Sequence, residues 1–386
     1  MNTLNWGELT PEQFLKEYWQ KKPLIIKGAF KNFKDPISAD ELAGLAMEQE
    51  IQSRIITKTE AEKSTVSWQV NHGPFESFDQ FGESGWTLLV QAVNNFSAAS
   101  QLLLNNFNFV PNWRVDDVMV SFSTPQGGVG AHIDQYDVFI IQGMGKRHWQ
   151  IGAPDSSLQQ LLPHPDLKQV SKFSPLIDAI TESGDLLYIP PNHPHKGIAI
   201  DNSLNYSIGF QAPNNQELFS GFADKLLDDD IATDRFMDIN RKITHSSELL
   251  AATDISQLKN FMKGAFDNEE IFNQFIGCYL TQSNHPLELL IPTQPIKNDQ
   301  LVDILAEVEN QFIAVSGIKA LVIEKPSNTL FINGEAFKLD ENTGEFGRII
   351  AKGQNITTEQ AKSFTDGISN RKLLLVILNK GYWYIE

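Results

Sequence analysis

The spacing of apolar residues changes twice along the chain of 386 residues. From Trp113 to about Phe210, short apolar runs alternate with turn residues, which predicts a region of β-strands. Between residues 213 and 283, apolar residues recur at spacings of three and four, which predicts helices. Beyond residue 283, helical and strand patterns are mixed. The pattern therefore predicts an α+β chain in three parts, residues 1–212, 213–283 and 284–386.

Capping signals mark helices in the first part of the chain. Thr10, Pro11 and Gln13 have the pattern of a helix start, with an N-cap, a proline at the first helical position and a side chain that can reach back. Ser38 is expected to cap a second helix in the same way. A third helix is predicted near residues 97–107.

Turn signals delimit two strands of the β-region. Apolar strands lie on either side of residues 144–147, so we predict that they pair as a hairpin. The strand at residues 186–189 follows the turn residues Ser183–Asp185 and ends at two prolines, which is typical of a strand end.

The last part of the chain has the signals of a small mixed module. We predict a helix over residues 298–312, a strand over 320–324, a hairpin over 328–339 with a type I′ turn at Asn333–Gly334, and a terminal strand pair over 373–386. Helices followed by a small hairpin are typical of a winged-helix-like domain. Because no helix here concentrates basic residues, we expect a packing or protein-contact role rather than DNA binding.

Charge and composition narrow the choice of partners. The chain carries 31 basic and 48 acidic residues, a net charge of −17. This charge repels a phosphate backbone and attracts a basic polypeptide, so we expect a basic protein partner and no direct contact with nucleic acid. The single Cys278 excludes an internal disulfide framework. We see neither a bilayer-spanning apolar run nor a signal-peptide pattern, so we expect a cytoplasmic protein without a membrane partner.

The candidate chemistry involves His132 and Asp134, which are two positions apart, and a histidine further along the chain. On a strand, side chains two positions apart project to the same face, so we expect His132 and Asp134 to face the same way at a strand end. Two imidazoles and one carboxylate form the facial set that binds non-haem Fe(II) and leaves coordination positions open. Spacing alone does not identify the distal ligand, because His193 and His195 offer the same donor. The sequence therefore predicts a ferrous centre that activates oxygen, with either histidine as its third ligand.

Four motifs occur in a characteristic order. They are H-x-D at residues 132–134, G-x-G-K-R-x-W at 143–149, G-D-x-L-Y-I-P-P-x-x-P-H-x-G at 184–197, and N-Y-S at 205–207. This order resembles the JmjC branch of the cupin-type oxygenases, whose barrel is a double-stranded β-helix that binds Fe(II) and 2-oxoglutarate. One position departs from the pattern, since Asn192 stands where glycine is usual. Asparagine tolerates the left-handed conformation better than most residues.

The resemblance implies a set of metal ligands. It assigns His132, Asp134 and His195 as the ligands of Fe(II), because Pro194 precedes His195 and Gly197 follows it at the places of the family pattern. The same resemblance implies that O2 is a substrate and that 2-oxoglutarate is converted to succinate and carbon dioxide.

The resemblance also implies contacts with 2-oxoglutarate. The carboxylate remote from the metal needs a fixed cation, and Arg147 offers a planar fork that matches a carboxylate. Ser121, Asn205 and Ser207 are further candidates that would face the cofactor pocket. For these three residues, an ordinary hydrogen bond within the sheet is the competing explanation.

The arrangement of the whole chain is similar to that of the ribosomal oxygenases, in particular the bacterial ribosomal protein arginine hydroxylases. This resemblance implies that the substrate is an arginine of a basic, large-subunit ribosomal protein. The apolar faces of residues 213–283 would either pack against the barrel or be buried against a second copy, and the resemblance favours the second arrangement, a homodimer.

Other functions compete with this interpretation. A cupin-type oxygenase acting on a small molecule would have a narrow, closed pocket mouth, whereas a polypeptide substrate would need a wide acidic groove. A non-catalytic regulator would have no chemical need for all three metal ligands. Histone demethylation, a further activity within the JmjC branch, fits less well with the ribosomal oxygenase pattern.

Overall fold

The chain folds into two compact units. The structure is a computed structural model that describes residues 2–61, 65–243, 245–307, 309–325, 328–365 and 367–386. The first unit comprises Met1–Ala212, Asn284–Glu288 and Val315–Gly317, and the second comprises the remainder of the chain. The boundary predicted between residues 283 and 284, which would separate a helical from a winged-helix-like part, stays a prediction. Position 308, which falls in the helix predicted over residues 298–312, lies outside the described residues.

The first unit is rich in strands. In chain order its helices and strands are α1 (Pro11–Glu17), β1 (Leu24–Ile26), α2 (Ala39–Leu45), β2 (Ser53–Ala61), β3 (Thr65–His72), β4 (Trp86–Val90), α3 (Ala98–Gln101), β5 (Val115–Ser123), β6 (Asp137–Gln142), β7 (Arg147–Gly152), β8 (Gln160–His164), β9 (Leu167–Val170), β10 (Pro175–Thr181), β11 (Leu186–Ile189), β12 (His195–Ala199) and β13 (Ser203–Phe210).

Two antiparallel sheets dominate this unit. Among the described residues, the larger sheet has eight strands in the order β1-β11-β6-β13-β5-β4-β2-β3, and the smaller has the order β10-β7-β12. Apolar side chains of both sheets pack together, including Ile140 of β6, Leu187 of β11 and Trp149 of β7. On its other face, the larger sheet packs against the N-terminal helices through a second apolar core that contains Phe14 and Tyr188. Strands β6 and β11 of the larger sheet are thus buried on one face by helices and on the other by the smaller sheet, whereas β2 and β4 pack against Leu167 of β9.

The predicted helix starts of the first unit are confirmed. Thr10 and Gln13 form a capping box at α1, and Ser38 and Glu41 form another at α2. Each box satisfies two backbone N–H groups that a helix terminus would otherwise leave without a partner. The third predicted helix is shorter than expected, because α3 passes into 3₁₀ turns over Leu102–Phe107.

The predicted hairpin at residues 144–147 is wrong. Strand β6 pairs with β11 and β13 in the larger sheet, whereas β7 pairs with β10 and β12 in the smaller one. The turn carries the chain from one sheet to the other, and Gly145 adopts a φ of +76° within it. Lys146 N–H donates to the Asp201 carboxylate at 2.6 Å, which fixes the new direction. An apolar–turn–apolar pattern indicates two strands, but it does not identify the strand with which each one pairs.

The second unit contains the remaining elements. In chain order they are α4 (Asn215–Asp228), α5 (Ala252–Asp267), α6 (Glu269–Thr281), α7 (Asn298–Ala306), β14 (Gln311–Ala314), β15 (Ala320–Ile323), β16 (Thr329–Ile332), β17 (Glu335–Lys338), α8 (Gly344–Ala351), β18 (Ile356–Thr357), α9 (Thr358–Thr365), α10 (Ile368–Asn379) and β19 (Trp383–Ile385). The helices in the described part of the chain are too short or too polar to cross a bilayer.

In the second unit, one predicted hairpin is confirmed, whereas two helices are shorter than the sequence predicts. The hairpin of β16 and β17 is confirmed, and Asn333 and Gly334 have the positive φ angles of a type I′ turn. The helical apolar spacing runs over residues 214–238, but helix α4 stops at Asp228, and Asp230 then adopts a left-handed φ of +52°. The helix predicted over residues 298–312 ends at Ala306.

The terminal strand pair is also wrong, because most of its apolar run lies in helix α10. Leu373, Leu374, Ile377 and Leu378 are buried in this helix. Their spacing places them on one helical face, and a short apolar run fits a buried helix as well as a strand. Only its last residues form a strand, β19, which pairs with β14.

Candidate active site

Three side chains converge where the loop after β5 meets the start of β12. The backbones of His132 and His195 exchange two hydrogen bonds, of 3.0 and 2.9 Å, which join these distant stretches of sequence. Asp134 Oδ2 then lies 3.5 Å from His195 Nε2 and 3.8 Å from His132 Nε2. One donor atom from each residue lies within 4.8 Å of the others. The geometry fits a shared metal ion with two imidazole ligands and one carboxylate ligand.

Backbone carbonyl groups orient both imidazoles. His132 Nδ1 lies 3.2 Å from the carbonyl oxygen of Gly130, and His195 Nδ1 lies 3.0 Å from that of His193. Because a carbonyl oxygen only accepts hydrogen bonds, each Nδ1 carries the proton, and each Nε2 keeps a lone pair directed at the site. Such outer contacts fix the tautomer of metal-binding histidines. Burial, together with the neighbouring His132, lowers the pKa of His195 to about 4, so this imidazole is neutral at physiological pH.

The structure separates the two candidate distal histidines. His193 is also buried, but its Nδ1 lies 3.0 Å from the carbonyl oxygen of Pro191, and it does not belong to the three-residue group. The preceding Asn192 has a left-handed φ of +64°, and its N–H donates to the carbonyl oxygen of Asp134 at 2.9 Å. The departure from glycine at this position is therefore accommodated as expected, and His195 is the histidine that faces Asp134.

The lowered pKa of His195 predicts a pH dependence of stability in metal-free protein. The unfolded chain takes up a proton on this histidine near pH 6.5, whereas the folded protein does so only near pH 4. The unfolded state therefore binds more protons across this window, and the free energy of unfolding is expected to decrease by about 2 kcal/mol between pH 7 and pH 5. Urea unfolding of chelator-treated protein measures this decrease. A His195→Asn protein should lose this part of the slope, and an identical slope in both proteins would contradict the prediction.

Arg147 lies buried at the start of β7 with neutral partners. Its guanidinium donates to the hydroxyl oxygens of Ser123 at 2.7 Å, Ser203 at 3.2 Å and Ser121 at 3.4 Å, while its Nε has no partner. Within the described ranges, no carboxylate pairs with this cation, and burial lowers its pKa. A buried cation without a counter-charge is costly, so the site is suited to an incoming anion. The neighbouring Lys146 is exposed and forms an ion pair with Glu182.

The other predicted cofactor contacts have different surroundings. Ser121 and Ser207 line the same cavity as the metal group and Arg147. Asn205 is buried in β13, and its side-chain N–H donates to Gln142 Oε1 at 3.3 Å. It is not among the residues that line the cavity. The roles of all three residues stay predictions.

The cavity has a volume of about 780 Å³ and also contains an acidic group that the sequence analysis missed. Asp116, Asp117 and His285 form a second set of three residues whose side-chain donor atoms lie within 4.8 Å of one another. Burial raises the pKa of the nearby Tyr136, and the negative charges of Asp134, Asp117 and Asp116 raise it further. The part of the cavity around Tyr136, Asp116 and Asp117 is therefore suited to a cation, whereas the part around Arg147 is suited to an anion. Two adjacent aspartates at the start of an apolar strand were the available sequence signal.

Comparison with known proteins agrees with this geometry. Residues 102–218 match the JmjC domain family, and residues 262–384 match the family of ROXA-like winged helices. The ribosomal protein uL16 3-hydroxylase of Escherichia coli (strain K12) is 41% identical over 385 residues, which cover 100% of this chain and 98% of the relative. A probable ribosomal oxygenase of Haemophilus influenzae is 30% identical, over 85% of this chain and 82% of the relative. A solved structure of an Escherichia coli ribosomal oxygenase in complex with cobalt and 2-oxoglutarate matches with a TM-score of 0.88 and 38% identity, over 100% of both chains.

Proposed function

This chain belongs to the JmjC-type ribosomal oxygenases, and we propose that it is an Fe(II)- and 2-oxoglutarate-dependent dioxygenase that hydroxylates an arginine side chain of a large-subunit ribosomal protein. The observation that carries this proposal is that two histidines and an aspartate with the geometry of a metal site, a buried arginine and a pair of carboxylates share one cavity. We further propose that the two packed sheets of the first unit form a double-stranded β-helix around this cavity.

The residues of the cavity fit the two cofactors. His132, Asp134 and His195 would hold Fe(II), and Arg147 would bind the remote carboxylate of 2-oxoglutarate with its planar fork. Ser121 and Ser207 would contribute hydroxyl groups nearby. When bound, Fe(II) and 2-oxoglutarate would allow one oxygen atom of O2 to be inserted into a C–H bond of the substrate, and 2-oxoglutarate would be converted to succinate and carbon dioxide. The chain itself holds the ligands, fixes the imidazole tautomers and orients the target carbon.

Two adjacent carboxylates, Asp116 and Asp117, which we call the acidic pair, support arginine as the target. A guanidinium is a planar cation with several N–H donors, and carboxylates accept such donors in pairs. Asp116 and Asp117 line the cavity that contains the metal triad, so a side chain bound to them would place its carbon atoms near the metal. The net charge of −17 would attract a basic ribosomal protein and repel RNA. These features favour a cationic polypeptide over a small neutral substrate, and such a substrate is consistent with action in the cytoplasm.

Mass spectrometry tests the proposed function directly. The purified protein is incubated aerobically with Fe(II), 2-oxoglutarate and the large-subunit ribosomal proteins, and the digest is searched for a gain of one oxygen atom on arginine. We expect the modification on one arginine of the counterpart of uL16, and only when 2-oxoglutarate is present. Succinate formation without any modified arginine would contradict the substrate while retaining the oxygenase activity.

We also propose that residues 213–283 form a dimer interface with a second copy of this chain. Several large apolar side chains of this segment are exposed, among them Phe219 (61%), Leu227 (78%), Ile255 (53%) and Met262 (68%). Extended apolar surfaces of this kind are uncommon on monomers and are typical of interfaces.

Light scattering coupled to size-exclusion chromatography tests the dimer. The wild-type chain is expected to have twice the mass of one copy, whereas Met262→Glu is expected to shift the protein towards the monomer. Gln257→Glu is the matched control, because it introduces the same charge at an exposed position of the same helix. A monomeric wild-type protein at micromolar concentration would contradict the proposal.

A further inference from the structure

A short stretch of chain returns to the first unit after the helices of the second. Residues Asn284–Glu288 belong to the first unit, although residues 213–283 before them and residues 289–314 after them belong to the second. This stretch, which we call the return segment, lies far in sequence from the JmjC motifs. Two of its side chains nevertheless contact the acidic pair in the cavity.

The return segment places one polar side chain beside each carboxylate. Asn284 Nδ2 donates to Asp116 Oδ1 at 3.2 Å. His285 Nε2 lies 3.9 Å from Asp117 Oδ2, and these two side chains are only 15% and 9% exposed. The hydrogen bond from Asn284 restricts the rotation of the Asp116 carboxylate, and His285 packs beside the Asp117 carboxylate at a distance longer than a hydrogen bond. The return segment therefore orients Asp116 directly and limits the space around Asp117.

Buried hydrogen bonds anchor the return segment to the strand that carries the acidic pair. The carbonyl oxygen of Pro286 accepts from Asn95 Nδ2 at 2.9 Å. Asn95 Oδ1 in turn accepts from Asn94 at 2.9 Å, and Asn94 Oδ1 accepts from the backbone of Val118 at 2.7 Å. Both asparagines are buried, with exposures of 3% and 5%. A Cβ atom on Gly317 would lie 1.9 Å from Asn95 Oδ1, so this position requires glycine.

The backbone contributes a further constraint on the second carboxylate. Ala92 N–H donates to Asp117 Oδ2 at 2.8 Å. Ala92 has a left-handed φ of +51°, which alanine rarely adopts. The surrounding structure therefore holds an unfavourable backbone conformation at the point where this N–H group meets the carboxylate. Asp117 is thus fixed by the loop before α3, and the return segment limits the space around it.

We infer that Asn284 and His285 are positioning residues, which hold the carboxylates of Asp116 and Asp117 in the orientation that binds a guanidinium. The inference rests on the proposed function, in which an arginine side chain enters this cavity. A planar, forked donor binds well only when its acceptors are already oriented, because ordering them on binding reduces affinity. The return segment therefore contributes to the preference for arginine over side chains that lack a guanidinium, such as citrulline.

Steady-state kinetics with paired peptides tests this inference. The substrates are a ribosomal-protein peptide with the target arginine and the same peptide with citrulline, which has a similar shape but no charge. In the full-length Asn284→Ala/His285→Ala protein, we expect KM for the arginine peptide to rise about tenfold with little change in kcat. The ratio of kcat/KM values for the two peptides should fall by about the same factor. Glutamine retains a hydrogen-bond donor. KM for the arginine peptide should therefore rise less in Asn284→Ala/His285→Gln than in the double alanine variant.

Controls separate positioning from general damage. Glu288→Ala changes an exposed side chain of the same return segment and should behave like wild-type protein. Substrate-independent conversion of 2-oxoglutarate to succinate should be equal in all variants, because it does not use the acidic pair. An unchanged KM in the double variant would overturn the inference alone, whereas failure of wild-type protein to modify the arginine peptide would overturn the proposed function with it. If wild-type protein bound a second equivalent of Co²⁺ and His285→Ala did not, Asp116, Asp117 and His285 would be a metal site. This result would also overturn the inference.

Discussion

Replacement of His195 by alanine is expected to reduce the conversion of 2-oxoglutarate to succinate by more than about 100-fold, since even the outer partners of metal ligands typically contribute about 10- to 100-fold. His195 is buried, and its Nε2 lies 3.5 Å from Asp134 Oδ2 with a lone pair available for a metal. Alanine removes this donor and leaves a two-ligand site. Anaerobic titration with Co²⁺, followed by its visible absorption, should show weaker binding in parallel with the loss of turnover.

His193→Gln is the matched comparison for this experiment. His193 is buried two residues away and offers the same chemistry, but it lies outside the three-residue group. Glutamine keeps a donor that can reach the carbonyl oxygen of Pro191, so this variant should retain most of its succinate formation and its affinity for Co²⁺. If the His193 variant lost metal while the His195 variant kept it, the assignment of the distal ligand would be reversed.

Substitution of Arg147 is expected to have the second largest effect, on the binding of 2-oxoglutarate. Truncating one partner of a buried charge pair costs several kcal/mol, so Arg147→Met should raise KM for 2-oxoglutarate by at least about 100-fold. Arg147→Lys keeps the charge but loses the planar fork, and an intermediate increase is expected. Isothermal titration with 2-oxoglutarate in the presence of Co²⁺ under anaerobic conditions measures both effects without turnover.

The same substitution should weaken the binding of 2-oxoglutarate but is not expected to reduce the thermal stability of the ligand-free protein. Arg147 is buried with only serine hydroxyls as hydrogen-bond partners in the described part of the chain. Replacing a buried, unpaired charge by an apolar side chain of similar size is often neutral or stabilising. We therefore expect Arg147→Met to melt at the same or a higher temperature than wild-type protein without 2-oxoglutarate. Lys146→Met is the control at the adjacent, exposed position, and equal 2-oxoglutarate affinity in all three proteins would contradict the role of Arg147.

The three residues proposed as metal ligands could be selected from the sequence because they carry local signals. His132 and Asp134 are only two positions apart, although they lie in the loop after β5 and not on the predicted strand, and the motif around His195 follows a strand that ends at two prolines. Spacing alone did not distinguish His193 from His195, and the resemblance to the JmjC branch was needed to choose. In the structure, the backbone pairing between residues 132 and 195 makes this distinction, and such pairing is a property of the tertiary fold.

Features that depend on long-range pairing were predicted less well. The strands around residues 144–147 were correctly located, but their partners lie in different sheets. The apolar run at residues 373–378 was assigned to a strand because its periodicity is ambiguous, and packing within the second unit makes it helical. The acidic group in the cavity was missed because His285 approaches Asp117 from a distance of 168 residues along the sequence, as does Asn284 from Asp116.

The return of residues 284–288 and 315–317 to the first unit limits how this protein can be divided. A fragment that stops at Ala212 would keep the three proposed metal ligands and Arg147, yet it would lack the chain that contacts Asp116 and Asp117. The oxygenase is consequently not a self-contained cassette that can be transplanted between relatives by a single crossover. In a chimeric enzyme joined at that boundary, the proposed metal ligands would come from one parent and the residues that contact Asp116 and Asp117 from the other. We expect such an enzyme to lose the substrate selectivity of both parents.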